Sequence, residues 1–167
     1  MSPLLALFLF LHVMGAIAVF GPTFVFPIIA NQVRKMPQHA HFAAVLGEFI
    51  ETRVVLPGAV VQGITGLILI GILGVNPFTD APWRWLLIGI VLYLIAIGFA
   101  ATVQRRNAEK MVELTSHMPP GPPPAGAPAG PPPEIAATGA ALARGGQLLT
   151  VLIVLIVILM VTKPTIG

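Results

Sequence analysis

The chain contains no cysteine and few charged residues, and both scarcities narrow the chemistry open to it. Without cysteine it has no disulfides, no thiolate metal ligands and no cysteine nucleophile. Only 9% of its 167 residues are charged, whereas 56% are hydrophobic. Together with a mean hydropathy of +0.93, this composition is typical of an integral membrane protein and excludes an ordinary soluble domain.

Most of the sequence consists of long apolar runs. The first run, Leu4 to Ala30, contains no charge and exceeds the about 20 residues that a helix needs to cross a bilayer core. No Lys or Arg precedes this run, which also continues beyond any small-residue cleavage site, so we expect a retained helix and not a signal peptide. The predicted spans are residues 4–30, 54–74, 85–103 and 145–163. The sequence therefore predicts an all-α membrane protein, a single domain with four transmembrane helices in a bundle.

Tryptophans and a proline-rich segment mark the boundaries of the later spans. Trp83 and Trp85 indicate an interfacial belt where the third span begins. That helix is expected to continue beyond the membrane, where Arg105 and Glu109 are four residues apart and predict an ion pair on one helix face. Residues 118–133 are rich in proline, which predicts an extended linker between the third and fourth helices.

The distribution of Lys and Arg predicts the orientation in the membrane. Most of these residues lie in the first and third loops, at Arg34, Lys35, Arg105, Arg106, Lys110 and Arg144. By the positive-inside rule, these loops and the proline-rich linker face the cytoplasm and both termini face away from it. We expect the protein in the plasma (inner) membrane, in contact with the lipid bilayer and with other membrane subunits. A homo-oligomer stays open, and the net charge of +3 indicates topology and not a nucleic-acid partner.

Charges also lie at the start of the second span. Glu48, Glu51 and Arg53 precede its apolar part, and Pro57 lacks an N–H, which frees the carbonyl of Arg53. Two interpretations follow for Arg53. It is either an inward-facing anchor in a structural ion pair with Glu48 or Glu51, or a surface residue that snorkels to the headgroups.

A few polar side chains are predicted to lie at a similar depth within the membrane. At about 1.5 Å per residue, His12, Thr65 and Tyr93 lie roughly 12–13 Å below the outer boundary, and Gln62 lies about 18 Å below it. An ionisable side chain at this depth is expensive without a partner and marks a candidate functional site. Helical spacing places several small or apolar residues on the face of His12, namely Phe8, Gly15, Ala16 and Val19.

Two interpretations of this polar layer remain open. It is either a hydrogen-bonded brace, in which His12 bonds to Tyr93 or Gln62, or one wall of a site for haem, another tetrapyrrole or a quinone. In the second case His12 would be the axial ligand or a hydrogen-bond donor. The spans contain no second histidine, so this chain alone does not provide bis-histidine ligation.

The order of the motifs resembles that of a known group. It comprises His12 in the first span, Glu51-x-Arg53 opening the second, Trp83 and Trp85 opening the third, and Val161-Thr162-Lys163-Pro164 ending the fourth. This order resembles small four-helix bacterial membrane proteins related to the copper-resistance D type. They include a family of unknown function and the haem J type protoporphyrinogen oxidase. The resemblance covers all four spans and not the proline-rich linker.

The resemblance to the haem J type implies haem b and a functional pair of one histidine and one lysine. His12 matches the first-helix histidine, whereas the third span here contains no lysine. We therefore expect a non-catalytic accessory or assembly subunit of a larger electron-transfer complex, which contacts a tetrapyrrole through His12. The alternatives are a haem-b-dependent oxidoreductase of the haem J type and a metal or small-solute permease. The clustered Met and His ligands of a copper site are missing, and we predict no metal site.

Overall fold

The chain folds into long helices. The structure, a computed structural model, describes residues 2–118 and 130–165. These residues form four helices that are long and apolar enough to cross a membrane: α1 (Pro3–Lys35), α2 (Pro37–Leu73), α3 (Ala81–Ser116) and α4 (Pro133–Thr162). The predicted all-α, four-helix membrane architecture is confirmed. Most of the predicted linker 118–133 lies outside the described residues.

Local sequence explains three helix boundaries. Gly74 follows α2 in the left-handed conformation, with φ of 64°, which suits a residue without a Cβ. Glu134 lies in the first turn of α4, where the helix dipole favours a negative charge. At the other end of α4, Lys163 adopts φ of 44° and Pro164 follows, so the helix does not continue.

The helices are longer than the spans that hydropathy defines. They contain 30 to 37 residues and are therefore about 45–55 Å long, against about 30 Å for a bilayer core. The C-terminal part of α3, Arg105–Ser116, carries most of its charges on exposed positions and continues the helix beyond the apolar span. The predicted ion pair is confirmed there, because Arg105 Nε lies 2.8 Å from Glu109 Oε1.

Two of the helices contain a π-helical turn. In α2 this turn covers Glu51–Val55, and in α3 it covers Ala100–Gln104. The turn in α2 lies just before Pro57, which has no N–H to donate, and the wider π-turn accommodates that interruption. No proline accompanies the π-turn in α3.

The bundle closes because each helix packs on two others. α1 packs against α2 and α4, and α3 packs against α4 and, through residues 105–116, against residues 40–50 of α2. The core is narrow, as expected where lipid covers the outer faces, and its buried apolar side chains are Val19, Val55, Ala59, Leu69, Trp85, Leu86, Ala100, Leu149 and Leu152. Trp85, which was predicted to lie at the membrane interface, is only 4% exposed and is therefore covered by neighbouring helices. Its ring packs within the bundle, with its centroid 5.9 Å from that of the half-buried Trp83.

Candidate functional site

The candidate site lies between α1 and α2, where glycines allow a close approach. A Cβ atom on Gly66 would lie 3.3 Å from His12 Cε1, and one on Gly15 would lie 2.7 Å from Gln62 Oε1. The two side chains therefore rest directly on the backbone of the opposite helix. Small residues at such crossings are the usual way in which membrane helices pack closely.

His12 is tied to α2 through one edge of its ring. Nδ1 lies 2.8 Å from Thr65 Oγ1 and 3.2 Å from Gln62 Nε2. The Gln62 amide also donates to the backbone carbonyl of His12 over 2.9 Å. Within the described part of the chain, no hydrogen bond joins the other ring nitrogen, Nε2, to the protein.

Nδ1 forms only one of its two hydrogen bonds at a time, which gives two proton arrangements. In the first, Nδ1–H donates to Thr65 Oγ1, and the Thr65 hydroxyl donates to the Gln62 carbonyl over 2.9 Å. In the second, Nδ1 carries no proton and accepts a hydrogen bond from Gln62 Nε2. The first leaves Nε2 with a free lone pair, and the second leaves it with a free N–H.

Tyr93 belongs to a separate contact at a similar depth. Its hydroxyl donates to the backbone carbonyl of Ala59 on α2, and a Cβ atom on Gly63 would lie 2.8 Å from that hydroxyl. The structure thus brings His12 together with Gln62 and Thr65, while Tyr93 bonds to backbone and not to His12.

Replacing Tyr93 with phenylalanine should destabilise the bundle slightly. The substitution removes the hydrogen bond to Ala59 and keeps the ring, so the free energy of unfolding should fall by about 0.6 kcal/mol, the average for intramembrane hydrogen bonds. Unfolding in detergent micelles titrated with dodecyl sulfate measures this loss. A loss above about 2 kcal/mol would contradict it, since that exceeds the largest single bond measured in such cycles.

The three residues predicted as an ion pair lie on α2 without pairing. Glu51 is buried and Glu48 is half-buried, whereas Arg53 is exposed. Among the described residues, the Arg105–Glu109 pair is the one case in which opposite charges approach within 4.0 Å. The exposed position of Arg53 matches the snorkelling interpretation.

Two polar contacts were not anticipated from the sequence. Gln104 donates from Nε2 to the Leu142 carbonyl on α4 over 3.2 Å, while its buried Oε1 has no partner among the described residues. Thr115 is 1% exposed and lies 3.2 Å from His41 Nδ1. Thr115 lies on the charged continuation of α3 and Gln104 lies in the π-turn just before it, where the sequence gives little indication that a polar residue is buried. The residues that the structure describes contain no group of three or more His, Asp or Glu side chains able to hold a metal ion.

Comparison with protein families agrees with the membrane architecture. Residues 6–164 match the model of a family described as "Predicted integral membrane protein (DUF2269)". The matched range includes His12 and extends through all four helices. No curated protein and no solved structure matches the chain. The family description supports an integral membrane protein in contact with lipid, and it carries no statement about the copper-resistance D or haem J types.

Proposed function

We propose that this chain, which belongs to the DUF2269 family of predicted integral membrane proteins, is a non-catalytic subunit of a larger membrane complex that contacts a tetrapyrrole through His12. The observation that carries the proposal is the asymmetry of the imidazole. Nδ1 lies within hydrogen-bond distance of Thr65 and Gln62, whereas Nε2 has no hydrogen bond to a described residue. A ring fixed through one nitrogen, with the other nitrogen available, is how proteins commonly present histidine to a metal.

The distances favour the tautomer that a metal ligand needs. The contact of Nδ1 with Thr65 is 2.8 Å, shorter than the 3.2 Å contact with Gln62. The Thr65 hydroxyl already has an acceptor in the Gln62 carbonyl, so its oxygen is free to accept from Nδ1–H. That arrangement leaves a lone pair on Nε2, the form that binds haem iron.

The residues at this site fit a single histidine ligand to haem iron. His12 would supply it, and Thr65 with Gln62 would hold the ring in place. The other described histidines belong to the loop side of the bundle, at His39, His41 and His117. A second ligand would therefore come from a partner subunit, which is why we place the chain in a complex. When bound there, haem b supplies electron transfer, and the resemblance to the haem J type supports the same histidine.

The hydrogen bonds of the polar layer support a non-catalytic role. Gln62 and Thr65 are engaged with His12 and with each other, and Tyr93 is engaged with backbone. A catalytic site needs placed acids, bases or donors aimed at a substrate. In this layer only Nε2 remains available, which suits a ligand contact better than proton-transfer chemistry.

Purification with partners tests this proposal. Membranes solubilised in a mild detergent and isolated through a tag on this chain should yield a haem absorption spectrum together with a second membrane protein. A colourless preparation that contains this chain alone, from cells in which haem synthesis is intact, would contradict the proposal. A further chromatography step that separates the two proteins would show whether the haem absorbance elutes with this chain or with the partner.

We also propose that both termini face away from the cytoplasm in the plasma membrane. The basic residues of the first and third loops, among them Arg34, Lys35, Arg105 and Arg106, support this orientation. A reporter fused at either terminus should be active only in the extracytoplasmic compartment, and a reporter inserted between residues 118 and 130 only in the cytoplasm. The reverse activities would overturn the orientation.

A further inference from the structure

A buried carboxyl group lies in the π-turn of α2, away from His12. Glu51 opens this turn and is only 6% exposed. Its Oε1 atom is fully buried, and neither carboxyl oxygen accepts a hydrogen bond from a described residue. No described cation lies within 4.0 Å of it, since the one such approach joins Arg105 and Glu109.

Several charged and titratable groups lie near the level of Glu51, and no described cation among them comes within 4.0 Å of it. Two contacts join α2 to α3, His41–Thr115 and Gly63–Tyr93, and they are separated by the same number of residues on both helices. Counting along each helix from either contact places Glu51 opposite Arg105. Arg105 and Glu109 pair with each other, and Arg144 of α4 donates to the Ala140 carbonyl. On α2, Arg53 is exposed and Glu48 lies about one turn from Glu51. On α1, the contacts His12–Thr65 and Val19–Gly58 place Phe26 at this level.

A buried carboxylate without such partners is unstable. Burying an unpaired charge is so unfavourable that the group takes up a proton and becomes neutral instead. The protonated acid is also a hydrogen-bond donor, whereas the ionised group only accepts.

The π-turn of α3 adds a second acceptor without a donor. It lies at the same level of the bundle and ends at Gln104, whose buried Oε1 accepts no hydrogen bond from the part of the chain that the structure describes. The Gln104 side chain is directed at α4, where it donates to the Leu142 carbonyl, so its Oε1 is a separate acceptor from Glu51. π-turns within α-helices are frequent at functional sites.

We propose that Glu51 is a proton-binding site inside the bundle: a carboxylic acid that holds an exchangeable proton between α2 and its neighbours. The site is independent of His12 and of any tetrapyrrole. Its ligand is the proton itself, taken up on Glu51 when the acid is neutral and released when it ionises.

Labelling with dicyclohexylcarbodiimide tests this site. This apolar reagent reacts with protonated carboxyl groups inside membrane proteins, because its first step consumes the carboxylic proton. In membranes containing the full chain, we expect mass spectrometry to find the label on the peptide that contains Glu51. Glu51→Gln should abolish the label, while Glu48→Gln, one turn earlier on the same helix, should retain it.

Infrared difference spectra provide a second measurement that does not depend on access of the reagent. The wild type should show the carbonyl band of a protonated carboxylic acid that Glu51→Gln lacks and Glu48→Gln keeps. Absence of this band would overturn the proposal, whatever the label shows. Protection of Glu51 from the label by sodium, and not by potassium, would also overturn it, since the ligand would then be a metal cation.

Discussion

Replacing Gly58 with alanine is expected to lower the free energy of unfolding by about 1–3 kcal/mol, the usual cost of forcing an extra group into a packed interior. A Cβ atom at this position would overlap Cγ2 of Val19 and lie 3.3 Å from its Cγ1. Val19 is buried and β-branched, so its side chain has little rotameric freedom with which to move aside. The crossing of α1 and α2 would have to open instead.

Gly71 provides the matched control on the same helix. Nothing lies within 4 Å of the Cβ that alanine would add there. Gly71→Ala should therefore leave stability unchanged or raise it by up to about 1 kcal/mol, since alanine is the better helix former. Unfolding of both variants in mixed micelles measures the difference. Equal stability of the two would show that α1 and α2 do not pack as tightly at Gly58 as the structure has them.

The opening of this crossing should also reach the candidate site. Gly58 and Gly66 lie on the same helix, and a close approach of α1 at both positions brings His12 to Thr65. If Gly58→Ala separates the helices, the hydrogen bonds to Nδ1 should lengthen together. A change in the pattern of His12 ring nitrogen chemical shifts would accompany the loss of stability, whereas Gly71→Ala should leave that pattern unchanged.

Much of the architecture could be predicted from the sequence because membrane crossing imposes simple requirements on it. Leu4 to Ala30 admits one structure in lipid, a helix, since each backbone polar group must be satisfied within the segment. The face shared by Gly15, Ala16 and Val19 could also be predicted, and all three lie at half-buried or buried positions. Helical spacing alone is enough to place such residues on the side of His12.

Other features depend on packing between helices, which hydropathy does not report. Trp85 is apolar enough to face either lipid or protein, and only the position of the neighbouring helices decides that it is buried. The predicted depth of Tyr93 suggested a hydrogen bond to His12. In the structure Tyr93 lies against α2, and its hydroxyl donates to the Ala59 carbonyl. The π-turn at Ala100–Gln104 has no proline to announce it. In the same way, an isolated glutamate near a predicted boundary does not indicate that Glu51 is buried without a partner.

Replacing His12 with alanine is expected to remove the Soret band from the purified complex while the chain still inserts into the membrane. If Nε2 is the ligand to haem iron, loss of the imidazole removes the bond that holds the haem against this subunit. The same substitution leaves Thr65 and Gln62 without their partner, so the free energy of unfolding should also fall by about 1–2 kcal/mol. Absorption spectra and micellar unfolding of the same preparations measure the two effects separately.

Gln62→Leu distinguishes the ligand role of His12 from its contribution to stability. Gln62 contacts both Nδ1 and the backbone carbonyl of His12, so the stability losses of Gln62→Leu and His12→Ala should be non-additive. Because Thr65 still holds Nδ1 at 2.8 Å, the Gln62 variant should keep its Soret band. A complex that retains the band in His12→Ala would contradict ligation by this histidine even if the stability losses are coupled. Coupled losses would then identify the contact of His12 with Gln62 as a brace between α1 and α2, with the haem bound elsewhere in the complex.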